Sequence, residues 1–213
     1  MSDPRDEHLN VYDAEGAVID TRPRREAKAS GLAVGAVNAL LVDARRRVLL
    51  QRRRRDKENG GLWDKSVGGH VAAGEDFDTT LVREAGEELF DDPAAPRVRL
   101  AGNAEGLRAL LQATDLTRAV ALRRFSFQRN LRDVRRAPGG GVRNAVYHLA
   151  IYLGRTDIPV GEFRPQATEI EALAYFEVAE VDRMLAAGEL APNMAFLWLT
   201  HALALLGHVP TPR

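Results

Sequence analysis

The sequence predicts an α+β sandwich folded as a single domain, on three observations. Apolar runs of strand length recur at residues 34–42, 48–50, 145–153 and 170–176, bounded by polar or turn-forming residues. Helical spacing occupies residues 77–89 and returns in two closing segments, 180–187 and 194–206. Neither an internal repeat nor a linker divides the 213 residues, and a chain of that length buries a sizeable core. Residues 1–213 are therefore read as one domain, with 1–30 an N-terminal extension containing a hairpin and 100–143 an insertion or loop region.

Residues 9–22 read as two short strands around Asp13 to Gly16, a tip supplied with turn formers. Val34 to Val42 and Val48 to Leu50 form a second hairpin across the polar tip Asp43 to Arg47. Trp63 to Val71 is a short strand. Phe77 to Leu89 is a helix, because Phe77, Leu81, Ala85 and Leu89 recur along one side. Gly86 within it costs about 1 kcal/mol relative to alanine, so packing or a bound metal must offset it. Glu105 to Ala121 shows helical spacing at Leu107, Leu110, Leu111 and Val120, and Phe125 and Phe127 then alternate as in a strand. Arg129 to Arg143, rich in arginine and holding Pro138 and Gly139 to Gly141, reads as a loop. Strands Ala145 to Leu153 and Ile170 to Phe176 precede the closing helices, the last of which carries little charge and packs on the core.

Composition narrows the function. Lys plus Arg and Asp plus Glu number 30 each, so no overall basic field attracts nucleic acid, which is not favoured as a partner. The absence of cysteine excludes disulfides, thiolate metal sites and a cysteine nucleophile. The N-terminal residues are charged where a signal peptide would be apolar, and no run has the length of a membrane span, so a cytoplasmic protein without a membrane partner is expected.

The chemistry concentrates after Gly68, Gly69 and His70. On a helix, Glu84, Glu87 and Glu88 present three carboxylates to one small volume. Such neighbours repel unless a cation sits among them, and an oxygen-rich cluster suits a hard divalent ion, Mg2+ or Mn2+. Upstream, Gln51 to Lys57 reads QRRRRDK, and strand alternation puts Arg53 and Arg55 on one face and Arg52 and Arg54 on the other. Arg53, with Lys57 in the following loop, is the candidate pair for phosphate oxygens; a solvated edge strand is the alternative.

The run from Gly69 to Asp91, GHVAAGEDFDTTLVREAGEELFD, resembles the Nudix box at Gly69, Glu75, Arg83, Glu84, Ala85, Glu87 and Glu88. It departs where Phe90 stands for the box's glycine and Asp91 for its apolar residue. That concerns how the helix ends, and Pro93 is expected to stop it. The resemblance implies a Nudix-type α/β/α sandwich with a mixed β-sheet. It also implies a metal at Glu84, Glu87 and Glu88, with Gly69, Glu75 and Arg83 as structural, orienting partners. The implied activity is that of a diphosphohydrolase acting on a nucleoside diphosphate linked to another group, a small-molecule diphosphate substrate.

The stretch LLQRRRRDKENGGLWDKSVGGHV extends the likeness to a Nudix subgroup related to isopentenyl diphosphate isomerases. In those enzymes a cysteine precedes the Gly-His pair and two N-terminal histidines help hold a metal. Here Gly68 takes the cysteine's place and no histidine lies between Leu9 and Gly69, so the scaffold carries over and isomerisation does not. Without histidine partners, His70 is assigned a hydrogen-bonded structural role before a metal-ligating one, and His148, on an apolar run, is a core histidine.

The box leaves the general base unassigned. Glu169 and Glu171, expected on one face at the entrance of the strand Ala172 to Phe176, are its candidates, with Glu87 next. A catalytically weak ligand-binding or regulatory module is the alternative function. Base and sugar specificity falls to loops such as 102–117 and 129–143, whose arginines meet extra phosphates, solvent or a second subunit; the last case would make the chain a homodimer.

Overall fold

A computed structural model describes residues 7–136 and 142–208. The chain opens with the hairpin β1 (His8–Tyr12) and β2 (Val18–Pro23), then α1 (Arg24–Ala29). β3 (Ala33–Val42), β4 (Val48–Arg53), β5 (Trp63–Asp64) and β6 (Val67–His70) lead into α2 (Phe77–Phe90). After β7 (Val98–Ala101) come α3 (Ala104–Ala113), β8 (Val120–Arg136), β9 (Val142–Arg155), β10 (Ile170–Phe176), α4 (Val178–Ala187) and α5 (Pro192–His208).

The strands form one mixed sheet ordered β10-β4-β3-β9-β8-β7, parallel at β3–β9 and β7–β8 and antiparallel elsewhere. Strand alternation divides the interior into two cores. Val37, Ala39 and Leu41 of β3, with Ala150 and Tyr152 of β9, pack beneath Leu81, Ala85 and Leu89 of α2. Leu40 and Val42, with Ile151 and Leu153, face Val181 of α4 and Leu197, Trp198 and Leu205 of α5. The result is the expected α/β/α sandwich with a mixed sheet.

Four expectations change. The single strand expected over Trp63 to Val71 is two, β5 paired with β4 and β6 with β3. The helix predicted across 105–121 ends at Ala113; Asp115 then accepts from the Thr117 N–H at 3.0 Å to make a turn, and Val120 joins β7 in a parallel ladder. Val120 thus belongs to a strand whose period the helical spacing had absorbed. The segment 129–143 is not a loop up to its tip: Leu131 pairs with Tyr147 and the antiparallel ladder continues to Arg136 and Val142. Its Pro138 and Gly139 to Gly141 lie outside the described residues. The N-terminal hairpin is tied to the sheet rather than appended to it: Val11 pairs with Val34, and the Ala73 N–H donates to the His8 carbonyl at 2.8 Å.

The ends of α2 are set by aspartates. Asp76 caps its N-terminus by accepting from the Thr79 N–H at 2.7 Å. Phe90 stays helical and buried, stacked on Phe163 at 5.9 Å, and Asp91 takes the left-handed cap at φ 51°. The turn that the box's glycine would make therefore falls one residue later, on a residue type that tolerates it. Gly86 is explained by packing, since a Cβ there would lie 2.2 Å from the Asp92 carbonyl oxygen and 2.7 Å from the Ala95 Cβ. Gly86→Ala gains about 1 kcal/mol of helix propensity but forces backbone apart, a cost of about 1–3 kcal/mol or more. The net effect is destabilising, seen as a lower urea midpoint; a raised midpoint would contradict this packing.

Candidate active site

The site is built where α2 crosses the Gly68-Gly69 end of β6. β6 pairs with β3, with Val37 opposite Gly69 and Asn38 opposite Gly68; Gly69 turns its missing side chain toward the helix, and Gly68 turns its N–H there. A Cβ at Gly69 would lie 2.1 Å from the Glu84 carboxyl carbon, so only glycine leaves Glu84 its place. Glu88, buried to 6% exposure, accepts from the Gly68 N–H at 2.8 Å and from the Gln51 Nε2 at 3.1 Å.

Arg83 is the cation among the acids. Its guanidinium donates to both Glu75 oxygens, at 2.9 and 3.1 Å, and lies 3.1 Å from Glu84 and from Glu87. Glu75 also accepts from the Thr80 hydroxyl at 2.8 Å. Burial would raise the Glu75 carboxyl, but the bonds from Arg83 and Thr80 outweigh it and hold the group below its usual range. Glu84 goes the other way: burial, then the charge of Glu88, pushes it up to about 8 against the pull of Arg83. Burial likewise pushes Glu88 up to about 7, opposed by the Gly68 N–H, Lys65 and Arg53.

Gly69, Glu75 and Arg83, expected as orienting partners, thus all lie in contact with the box acids or with one another. Glu84, Glu87 and Glu88 share one neighbourhood, but as they stand they point apart, Glu87 toward Arg83 and Glu88 toward Gly68. Among the described residues no three acidic or histidine side chains already meet in metal-binding geometry. The donor set nonetheless fits a hard cation: one buried and one largely enclosed carboxylate with too little positive charge beside them, Glu84 resting on Gly69 where a Cβ would displace it.

On the β4 side, Arg53 and Lys57 come together at Glu169. Lys57 Nζ donates to Glu169 Oε1, and Arg53 Nη2 lies 3.6 Å from Oε2. β4 ends at Arg53; Arg54 lies just beyond it and Arg55 in a turn, so the four-arginine alternation stops halfway. Arg52, on the other face, lies over the Trp63 ring at 5.9 Å. The expectation that Glu169 and Glu171 share a face fails: Glu169 lies in a turn, and the β10–β4 register shifts between Ile170 and Ala172, leaving Glu171 exposed at the irregularity.

Several neighbours escaped the sequence reading. Gln51 opens the QRRRRDK run, yet it is the amide that meets Glu88; its Oε1 is buried without a hydrogen-bond partner. Lys65 is buried against Asp64, 3.2 Å from each carboxylate oxygen. Asn10, the one polar residue inside LNVY, donates to the Glu75 carbonyl at 2.9 Å and accepts from the Gly74 N–H at 3.1 Å, clamping the loop before α2. His70 packs against Tyr147 at 6.0 Å, and His148 is fully buried with Nε2 2.9 Å from the Asp13 carbonyl.

A family model, the NUDIX domain, matches residues 33–196. Among solved structures, DR0079 from Deinococcus radiodurans is similar at 20% identity over 90% of this chain and 96% of that one, with a TM-score of 0.56. RenU, a Nudix hydrolase from M. Smegmatis, is 15% identical over 96% of this chain and 98% of its own, at a TM-score of 0.48. No curated protein matches the sequence. At these identities the structural likeness speaks for the fold, and the family model for the family.

Because burial lifts Glu84 and Glu88 above the ordinary 4.5, the folded state holds protons there that the unfolded chain releases. Their contribution to stability is full below about pH 4.5 and is lost as pH rises through about 7 to 8. Metal-free protein should therefore melt at a falling temperature across this window, and Glu88→Gln should flatten the fall. Thermal unfolding in chelator at fixed ionic strength measures both; an unchanged slope in the variant would remove Glu88 as a source.

Proposed function

Because the chain belongs to the Nudix family, we propose that this hydrolase cleaves the diphosphate linkage of a nucleoside diphosphate joined to another group, with magnesium or manganese at Glu84, Glu87 and Glu88. The observation that carries this reading is the pair Glu84 and Glu88, the first seated against Gly69 at 14% exposure and the second buried against the Gly68 N–H, with their charges only partly compensated. A divalent cation bound there supplies charge neutralisation on the diphosphate and lowers the pKa of a coordinated water.

The protein's own groups do the remainder. Glu75 holds Arg83, and Arg83 restrains Glu84 and Glu87, so the acids stay close despite repulsion. Arg53 and Lys57 offer phosphate oxygens a fork and a point charge at the adjacent border of the site. Gly68 and Gly69 keep the floor open. Glu169 is the favoured base because it borders these cations and becomes uncommitted when they turn to a diphosphate; Glu87, within the box, is the alternative. Glu171 is poorly placed for that role by its exposure.

The reading is tested on a panel of nucleoside diphosphate derivatives with magnesium or manganese, scored by release of two phosphorylated products. A metal ligand supports several kcal/mol of transition-state stabilisation, so Glu87→Gln and Glu88→Gln should each lower the rate by about 100-fold or more while the protein remains folded. No turnover on any member, with the metal retained, would favour a binding module. Wild-type rates in Glu88→Gln would dismiss the metal assignment.

For the base, the pH profile of kcat decides. Glu169→Gln should lose the acidic limb along with most of the rate. If Glu169→Gln and Glu171→Gln both keep the wild-type profile, the base passes to Glu87.

A further inference from the structure

The two cations assigned to the diphosphate already hold an anion of the protein's own. Glu169 uses one carboxylate oxygen on Lys57 Nζ and the other toward Arg53 Nη2 at 3.6 Å. The arrangement is anchored from both sides. The Glu169 carbonyl accepts from the Arg54 N–H at 3.1 Å, and its N–H donates to the Gln166 carbonyl at 3.0 Å, fixing the turn that presents the carboxylate. Arg53 Nε donates to the Glu58 carbonyl at 3.0 Å, and the Lys57 N–H to the Arg54 carbonyl at 3.1 Å, fixing the cations. All three side chains are 20–29% exposed, too enclosed to be free surface charges. Gln51, two residues before Arg53 on β4, donates to Glu88 at 3.1 Å, so the strand that carries this cluster also reaches the box carboxylates.

We propose that Glu169 is a built-in competitor for substrate: a specificity-determining carboxylate that keeps Arg53 and Lys57 aimed at one point and yields them only to a ligand of more than one negative charge. The proposal rests on the assignment of Arg53 and Lys57 to diphosphate. Its physical basis is an exchange of anions. A singly charged ligand replacing Glu169 gains no Coulomb energy over the carboxylate it displaces and still loses translational and rotational freedom. A diphosphate brings at least two charges on neighbouring phosphorus centres, spans both cations and leaves a net gain. Selectivity then comes from what the wrong ligand must displace, as well as from what the right one touches.

The experiment measures binding rather than turnover, so a catalytic role of Glu169 does not confuse it. Methylenebisphosphonate, a diphosphate analogue whose bridge is not hydrolysed, and dimethyl phosphate, a monoanion, are titrated calorimetrically with magnesium into wild type, Glu169→Gln, Arg53→Ala and the double variant. In Glu169→Gln the bisphosphonate should bind about 5- to 10-fold more tightly, a gain of about 1 kcal/mol, and dimethyl phosphate binding should become measurable. Wild type should bind the bisphosphonate and not dimethyl phosphate. Unchanged or weaker bisphosphonate binding in Glu169→Gln would overturn the proposal, because it would make Glu169 a support for the cations instead of their competitor. Comparable binding of both probes to wild type would overturn the charge selection. Arg53→Ala separates the two levels. It should weaken the bisphosphonate in either background; if it does not, Arg53 does not hold diphosphate and the underlying assignment fails. Weakening by Arg53→Ala without tightening by Glu169→Gln sinks the competitor alone.

Discussion

Everything at this site depends on one electrostatic arrangement, the Arg83 guanidinium shared among Glu75, Glu84 and Glu87. A helix that places acids at three- and four-residue intervals on one face is unfavourable by itself. Arg83 removes part of that repulsion. Because Glu75 takes both its Nε and an Nη in a two-pronged bond, the guanidinium is fixed in direction as well as position. One cation nonetheless falls short of neutralising its neighbours. The uncompensated remainder resides on Glu84 and Glu88, whose carboxyls burial pushes upward. Stability and function pull in opposite directions here, as is usual where acids are held close for chemistry.

The rest of the fold holds that arrangement in place. Glu75 lies outside α2, on a loop that would otherwise be free to swing, and the N-terminal hairpin restrains it through Asn10 and the bridge between Leu9 and Ala72. The floor comes from β6, whose register against β3 puts Gly68 beneath Glu88 and Gly69 beneath Glu84. β3 in turn runs parallel to β9 across the centre of the sheet, with helices covering both faces. The site is thus mounted on buried strands rather than on long loops, which limits the movement of its carboxylates.

Local patterns made much of this legible and non-local pairing hid the rest. The box acids, the orienting Arg83 and Glu75, and the helix from Phe77 follow from spacing, because helix geometry converts sequence separation directly into position. Both N-terminal hairpins followed from turn residues between apolar runs. The failures share a cause. Val120 fits a helical pattern and a strand equally well, and only its pairing with Val98 decides between them. The arginine-rich segment 129–136 has the composition of a loop, yet β9 supplies a partner strand for it. Glu169 and Glu171 follow the alternation rule until an irregularity in β10 breaks it. Gln51 and Lys65 carried no motif at all, and their nearness to Glu88 is a product of tertiary packing.

Lys65 also gives a steric reason for glycine, and no residue with a Cβ, at position 68. A Cβ at position 68 would lie 2.0 Å from the Lys65 Cε and 3.0 Å from the Asn38 Oδ1. The space that a cysteine would need there is already filled by a buried lysine whose charge is balanced by Asp64 and felt by Glu88. The arrangement has an electrostatic side as well. Burial pushes the Glu88 carboxyl up to about 7, and the Gly68 N–H, Lys65 and Arg53 offset only part of that rise toward the neutral form. Glycine at position 68 therefore leaves room for Lys65, whose charge works against the rise that burial imposes on the neighbouring carboxylate.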